Sequence, residues 1–158
     1  MYSTYINCKN LTGSPVCGPN VTTMACTYVG CSNLTGSPIF GNKVNYIGGT
    51  YAFCTNLTGS PICSPNATSM SGSYYRGYGS IIVGTYENCY NLTGSPVCGE
   101  NVTNMYKTYS NCYNLTGSPV CGENVTNMSY TYYNCTNLIG PPVCGSNVQD
   151  MNFAYYSC

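Results

Sequence analysis

Asn91–Met105 reads NLTGSPVCGENVTNM, and Asn114–Met128 reads the same letters again, 23 residues further on. A duplication at a fixed interval marks a repeat architecture, in which one unit cannot bury its apolar face alone and takes the missing half from its neighbour. Aligned on the Leu of this motif, units start near Leu11, Leu34, Leu57, Leu92, Leu115 and Leu138, each 23 residues after the last except for a 35-residue step from Leu57 to Leu92. The extra dozen residues lie within 67–82, in the Gly- and Tyr-rich ATSMSGSYYRGYGSII, and read as an insertion loop. Either Met70 or Ile82 fits the repeat position at its edge. Residues 1–158 are therefore expected to form a single array of about six repeats.

The columns of the alignment predict the interior. Three residues before Cys8, Cys31, Cys54, Cys89, Cys112, Cys135 and Cys158 stand Tyr5, Tyr28, Tyr51, Tyr86, Tyr109, Tyr132 and Tyr155. Four further back the column stays apolar, as Met1, Met24, Ile47, Ile82, Met105, Met128 and Met151, and Val21, Val44, Val102, Val125 and Val148 form another. Steps of three and four from Val to Met to Tyr, then three to Cys, predict a helical or 3₁₀ turn. The segment TGSPVC, with Gly, Pro and a β-branched residue, predicts a short strand that pairs in parallel with its neighbours. The expected fold class is an α/β repeat solenoid, with one short parallel strand and one helical or 3₁₀ turn per 23-residue repeat.

NKVNYIGGTYAFCTNLTG at Asn42–Gly59 resembles the BspA-type leucine-rich repeat, with Val, Ile-Gly three residues on, an aromatic before Cys, then Asn-Leu-Thr. NVTNMSYTYYNCTNL at Asn124–Leu138 is similar to the variant common in mycoplasma surface proteins. The resemblance implies a leucine-rich-repeat-like right-handed coil. It also implies adhesion or binding to host or matrix proteins on a cell surface, with related arrays in phage-encoded proteins. The chain departs from the pattern in its SPVC segments, where Pro15 and Cys17 and their equivalents replace two apolar strand residues.

Composition narrows the function. There are only four Lys or Arg and four Asp or Glu, with no His and no Trp. So sparse and balanced a charge leaves no footprint for nucleic acid and no basic amphipathic helix for a membrane surface. No apolar stretch is long enough for membrane insertion, and the opening MYSTYINCKN carries no secretory signal. Scattered carboxylates, and hydroxyls without a His, argue against an enzyme, and nothing calls for a cofactor. Asn-x-Thr/Ser triplets recur at the phase of the repeat, which favours turn-forming Asn over glycosylation.

Thirteen cysteines invite three readings: buried thiols first, then disulfides, then a metal site. Phe40 occupies the place due to a cysteine in the second column (Cys17, Cys63, Cys98, Cys121, Cys144), so that column wants apolar volume; zinc spacing is absent. Cys26 falls outside both columns and is the expected exposed thiol.

Binding is expected where the repeat is broken or varies. The insertion contributes Tyr74, Tyr75, Arg76 and Tyr78, and variable columns contribute Tyr90, Tyr113, Tyr130 and Tyr133. The monotonous Thr12 and Ser14 files suit a periodic partner instead: another copy, a glycan, or ice. The functional expectation is a non-enzymatic binding or adhesion module, extracellular on a cell surface or virion, with a protein or glycan receptor. The alternative is a structural protein that self-assembles end to end into a fibre, since both termini fall inside a repeat without a polar cap.

Overall fold

The computed structural model describes residues 1–158, and a 23-residue register governs how they pack. The N–H groups of Met24, Cys26, Tyr28 and Gly30 donate to the carbonyls of Tyr46, Gly48, Thr50 and Ala52 at 2.8–3.0 Å. Met105, Lys107, Tyr109 and Asn111 do the same to Asn127, Ser129, Thr131 and Tyr133. Between these alternate donors, Thr27 N–H returns to Met24 C=O and Cys31 N–H to Tyr28 C=O, so each coil makes two consecutive tight turns. Such a path requires left-handed residues at four-residue intervals: Cys26 (φ 52°) and Gly30 (φ 73°), Lys107 (56°) and Asn111 (62°), Tyr130 (57°) and Asn134 (58°).

These turns overturn the expected α/β, leucine-rich-repeat-like class. The chain has no helix, and its only strands are an antiparallel pair, β1 (Ser71–Tyr75) and β2 (Ser80–Gly84). It is a largely irregular, coil-rich fold with a periodic pattern of aromatics and cysteines. The spacing of three and four is real, but a left-handed residue in every turn stops helix propagation and sends alternate N–H groups to the next coil. Single parallel bridges such as Gly13 to Leu34 and Asn104 to Asn127 tie neighbouring coils without growing into strands.

The expected strand fails for a second reason, which also explains the tyrosine column. Pro15 has no N–H to offer, and the next residue's backbone is taken by a side chain. The Tyr28 hydroxyl accepts from Val16 N–H at 3.1 Å and donates to Val16 C=O at 2.9 Å. Tyr51 holds Ile39 in the same way (3.0 and 2.6 Å), Tyr86 holds Ile62, Tyr109 holds Val97 and Tyr132 holds Val120. Each tyrosine therefore staples the segment twelve or, across the insertion, twenty-four residues before it.

The same rings form the spine of the interior. From Tyr5 through Tyr28, Tyr51, Tyr86, Tyr109 and Tyr132 to Tyr155, successive rings stack at 5.3–5.8 Å between centroids, within 3–16° of parallel. Each offset pair adds about 0.5–1.5 kcal/mol beyond the area it buries. Around the spine, the Leu, Met, Val and first-column Cys files close one continuous core. Met70 is buried in its file and Ile82 is exposed, so Met70 fills the repeat position.

Small side chains satisfy further carbonyls, and the Ser129 hydroxyl is the one buried side-chain group without a partner. First-column thiols donate to the carbonyl of the tyrosine one coil earlier, Cys54 to Tyr28 and Cys112 to Tyr86 at 3.1 Å and Cys135 to Tyr109 at 3.0 Å. Thr50 and Thr131 hydroxyls reach back to Met24 and Met105 carbonyls at 2.9 and 2.8 Å. Asn66 and Asn124 amides donate to Asn42 and Glu100 carbonyls, which gives the recurrent Asn a bridging role between coils.

With Met70 in place, the hairpin Ser71–Gly84 replaces the two residues that other coils put between Met and Thr. It folds back over the first coils. Tyr74 and Val83 bury themselves against Cys26, Val29 and Ala52 in a small second core. Gly49, in the left-handed region at φ 69°, lies beneath: a Cβ there would collide with Val83 and the Cys26 sulfur.

The staple makes a direct prediction. Tyr109→Phe keeps the stack but strands the Val97 N–H and C=O, and should cost about 2 kcal/mol. In urea unfolding the midpoint should fall with an unchanged slope, whereas Tyr90→Phe, at an exposed ring, should stay within about 0.5 kcal/mol of the parent.

Candidate functional site

The hairpin sorts its expected binding residues into two groups. Tyr74 points inward and is buried, so it anchors β1 and is withdrawn from the surface. Tyr75, Arg76 and Tyr78 stand at the turn, with Tyr75 75% and Tyr78 108% exposed. Arg76 N–H closes the turn on Gly79 C=O at 2.9 Å, and the Tyr75 hydroxyl donates to Gly77 C=O at 3.0 Å. Tyr2, from the first coil, donates to Ser73 C=O at 3.2 Å and so contacts β1.

The remaining expected aromatics lie elsewhere, in two clusters. Tyr90 and Tyr113 stack on each other at 5.2 Å, each more than a third exposed. Tyr130 stacks on Phe153 and Tyr133 on Tyr156, both pairs at 5.1 Å, and Tyr130 and Tyr133 touch at 5.7 Å. Neither cluster joins the hairpin residues in one site. Rings in this second cluster are half spent on each other, leaving their edges to solvent.

A cleft of about 270 Å³ opens between the hairpin and the first three coils. Arg76 and Tyr74 contribute from the hairpin, Asn7 and Lys9 from the first coil, Ser32 from the second and Phe53 from the third. Gly30 lines it too, and a Cβ there would clash with the Asn7 amide oxygen, so glycine sets where that amide sits. Lys9 and Ser32 lie in the same variable column as Tyr90 and Tyr113, the residue after the first cysteine, though the sequence-derived site takes only its tyrosines. Asn7 and Phe53 are absent from that site, and their signal was indirect, in the Gly48-Gly49 pair that lets the hairpin lie flat on the coils and so walls the cleft.

The other two cationic side chains are partnered. Lys107 pairs with Glu87 at 3.5 Å, and Lys43 donates to the Asn20 amide oxygen at 2.9 Å. Burial pushes the Glu87 carboxyl above the usual range, with Lys107 and the Gly84 N–H pulling it back.

Cys26 is a correction. It was expected to be the exposed thiol, but the hairpin covers it, and it is fully buried with its sulfur facing Gly48 C=O at 3.6 Å. Burial raises its thiol to about 11. Cys31 and Cys98 rise to about 11 for the same reason, and Cys54, Cys89, Cys112 and Cys135 rise further. All thirteen cysteines are free thiols, and the exposed ones are Cys8, Cys144 and Cys158. No three Cys, Asp or Glu side chains converge into a metal-binding group.

No family model matches the chain, and no curated protein or solved structure matches it either. The likeness to BspA-type repeats therefore rests on the quoted residues alone. What the geometry defines is a class: stacked irregular coils carrying one antiparallel hairpin and one cationic cleft.

The thiol assignment predicts an order of reactivity. Native protein alkylated at about pH 8 and mapped by mass spectrometry should carry label on Cys8 and Cys144, while Cys26, Cys54, Cys89 and Cys112 react only on unfolding. Label on Cys26 at the rate of Cys8 would show that the hairpin does not cover it.

Proposed function

We propose that this chain is a non-enzymatic binding or adhesion module of a cell surface or virion, engaging a protein or glycan receptor through its hairpin. One observation carries the reading: the rings of Tyr75 and Tyr78 are exposed at the hairpin turn, while the repeat tyrosines of the spine are consumed in stacking and stapling. Exposed tyrosines are efficient anchors because they bury a large area for little lost side-chain freedom. Arg76 between them adds a charged, planar hydrogen-bond donor.

The scaffold fits this role. Stacked coils give a regular base with a continuous apolar core, and an insertion is the place where a uniform array can present something different. The absence of His and the scatter of carboxylates leave no acid-base pair or activated nucleophile to favour catalysis. No helix of the structure is long and apolar enough to cross a membrane.

The test is a surface-binding survey of defined glycans and matrix proteins with the full chain and a Tyr75→Ser/Tyr78→Ser double variant. At least one ligand should bind the parent and lose tenfold or more with the variant, at unchanged thermal stability. Equal binding by both proteins would remove the hairpin from the function.

A further inference from the structure

Four cationic side chains serve this neutral chain, and their placement is uneven. Lys107 has its carboxylate, Glu87, and Lys43 has the Asn20 amide. Lys9 and Arg76 have no acidic partner and share the wall of a single cleft, to which no carboxylate contributes. They are separated by 67 positions in sequence and meet because the hairpin folds back over the first coil. Two like charges converging without compensation raise the local potential, and low-dielectric walls focus it.

We propose that this cleft binds an oxyanion group, carboxylate or sulfate, carried on a sugar-sized hydroxylated ligand. The inference rests on the binding-module reading and gives its ligand a chemical class. Arg76 offers the planar fork that grips such a group through two parallel N–H bonds, and Lys9 adds a mobile point charge. Asn7 and Ser32 supply neutral donors and acceptors for hydroxyls, and Phe53 an apolar wall for the ring's C–H face. A volume of about 270 Å³ suits one sugar unit with its charged substituent, not a long segment of polymer. Lys9 and Arg76 are both exposed, so either can be altered without opening the core.

The experiment titrates the full chain at low salt with a sulfated disaccharide, glucuronate, inorganic sulfate and neutral glucose, followed by calorimetry and amide chemical shifts. Saturable binding of the sulfated disaccharide or of glucuronate is expected, and comparing those two arms identifies the anion. Affinity should drop about tenfold in Lys9→Gln and in Arg76→Gln, fall with added salt, and be unchanged in Lys43→Gln. Arg76→Lys should recover part of the loss. The inference is overturned if glucose binds as well as the charged sugars, if inorganic sulfate binds as tightly as the disaccharide, or if both Gln variants bind like the parent. A chain that ignores every anion yet binds a receptor through Tyr75 and Tyr78 would sink the cleft and leave the module standing. Anion binding that persists when that double variant loses nothing on the receptor survey would do the reverse.

Discussion

A tyrosine hydroxyl that both accepts from and donates to one residue of a distant segment is the constraint on which this fold depends. Without it, the Ser-Pro-Val segments would carry backbone groups with neither a strand partner nor a helical one. Each of the five rings from Tyr28 to Tyr132 thus acts in two directions: its face stacks along the coil axis, and its hydroxyl pins the far side of its own coil. Phenylalanine satisfies only the first. At the ends of the file, the Tyr155 hydroxyl only donates, to Val143 C=O, and Tyr5 only stacks. From Tyr28 to Tyr155 the recurrence of Tyr is therefore a matter of hydrogen bonding as much as packing.

The coil's other half obeys a complementary rule. Consecutive turns hand alternate N–H groups to the next coil, so backbone bonds run between neighbours rather than up a helix. Thiols and threonine hydroxyls then occupy carbonyls facing the interior, which explains why small, weakly polar residues recur beside large aromatic ones. Burial makes the inner thiols poor nucleophiles, so Cys31, Cys54, Cys89, Cys112 and Cys135 are structural volume with a modest donor attached.

Much of the packing was legible in the sequence. The period, the inward Tyr, Met and Val files, and the dozen extra residues follow from counting, because residues that stack must recur in phase. Secondary structure did not follow, because spacings of three and four fit both a helix and a chain of alternating turns. The distinguishing sign was present in Asn7, Gly30, Asn111 and Asn134, residue types that tolerate the left-handed region, at the position where each helix would have had to continue. Long-range folding of the insertion was invisible to a one-dimensional count. Cys26 and Tyr74, read as exposed, became partners in a second core, and Lys9 met Arg76 across a cleft that no spacing encodes.

Amide hydrogen exchange at the stapled residues tests the central claim most directly. Ile39, Ile62, Val97 and Val120 belong to no strand or helix, and two of them are exposed, so only the tyrosine hydroxyl can protect their N–H groups. Their exchange should be slow and should track global unfolding, like that of the core amides of Tyr86 and Tyr109. Exchange at the rate of an open loop, while those core amides remain protected, would show that the hydroxyls do not hold the coil closed.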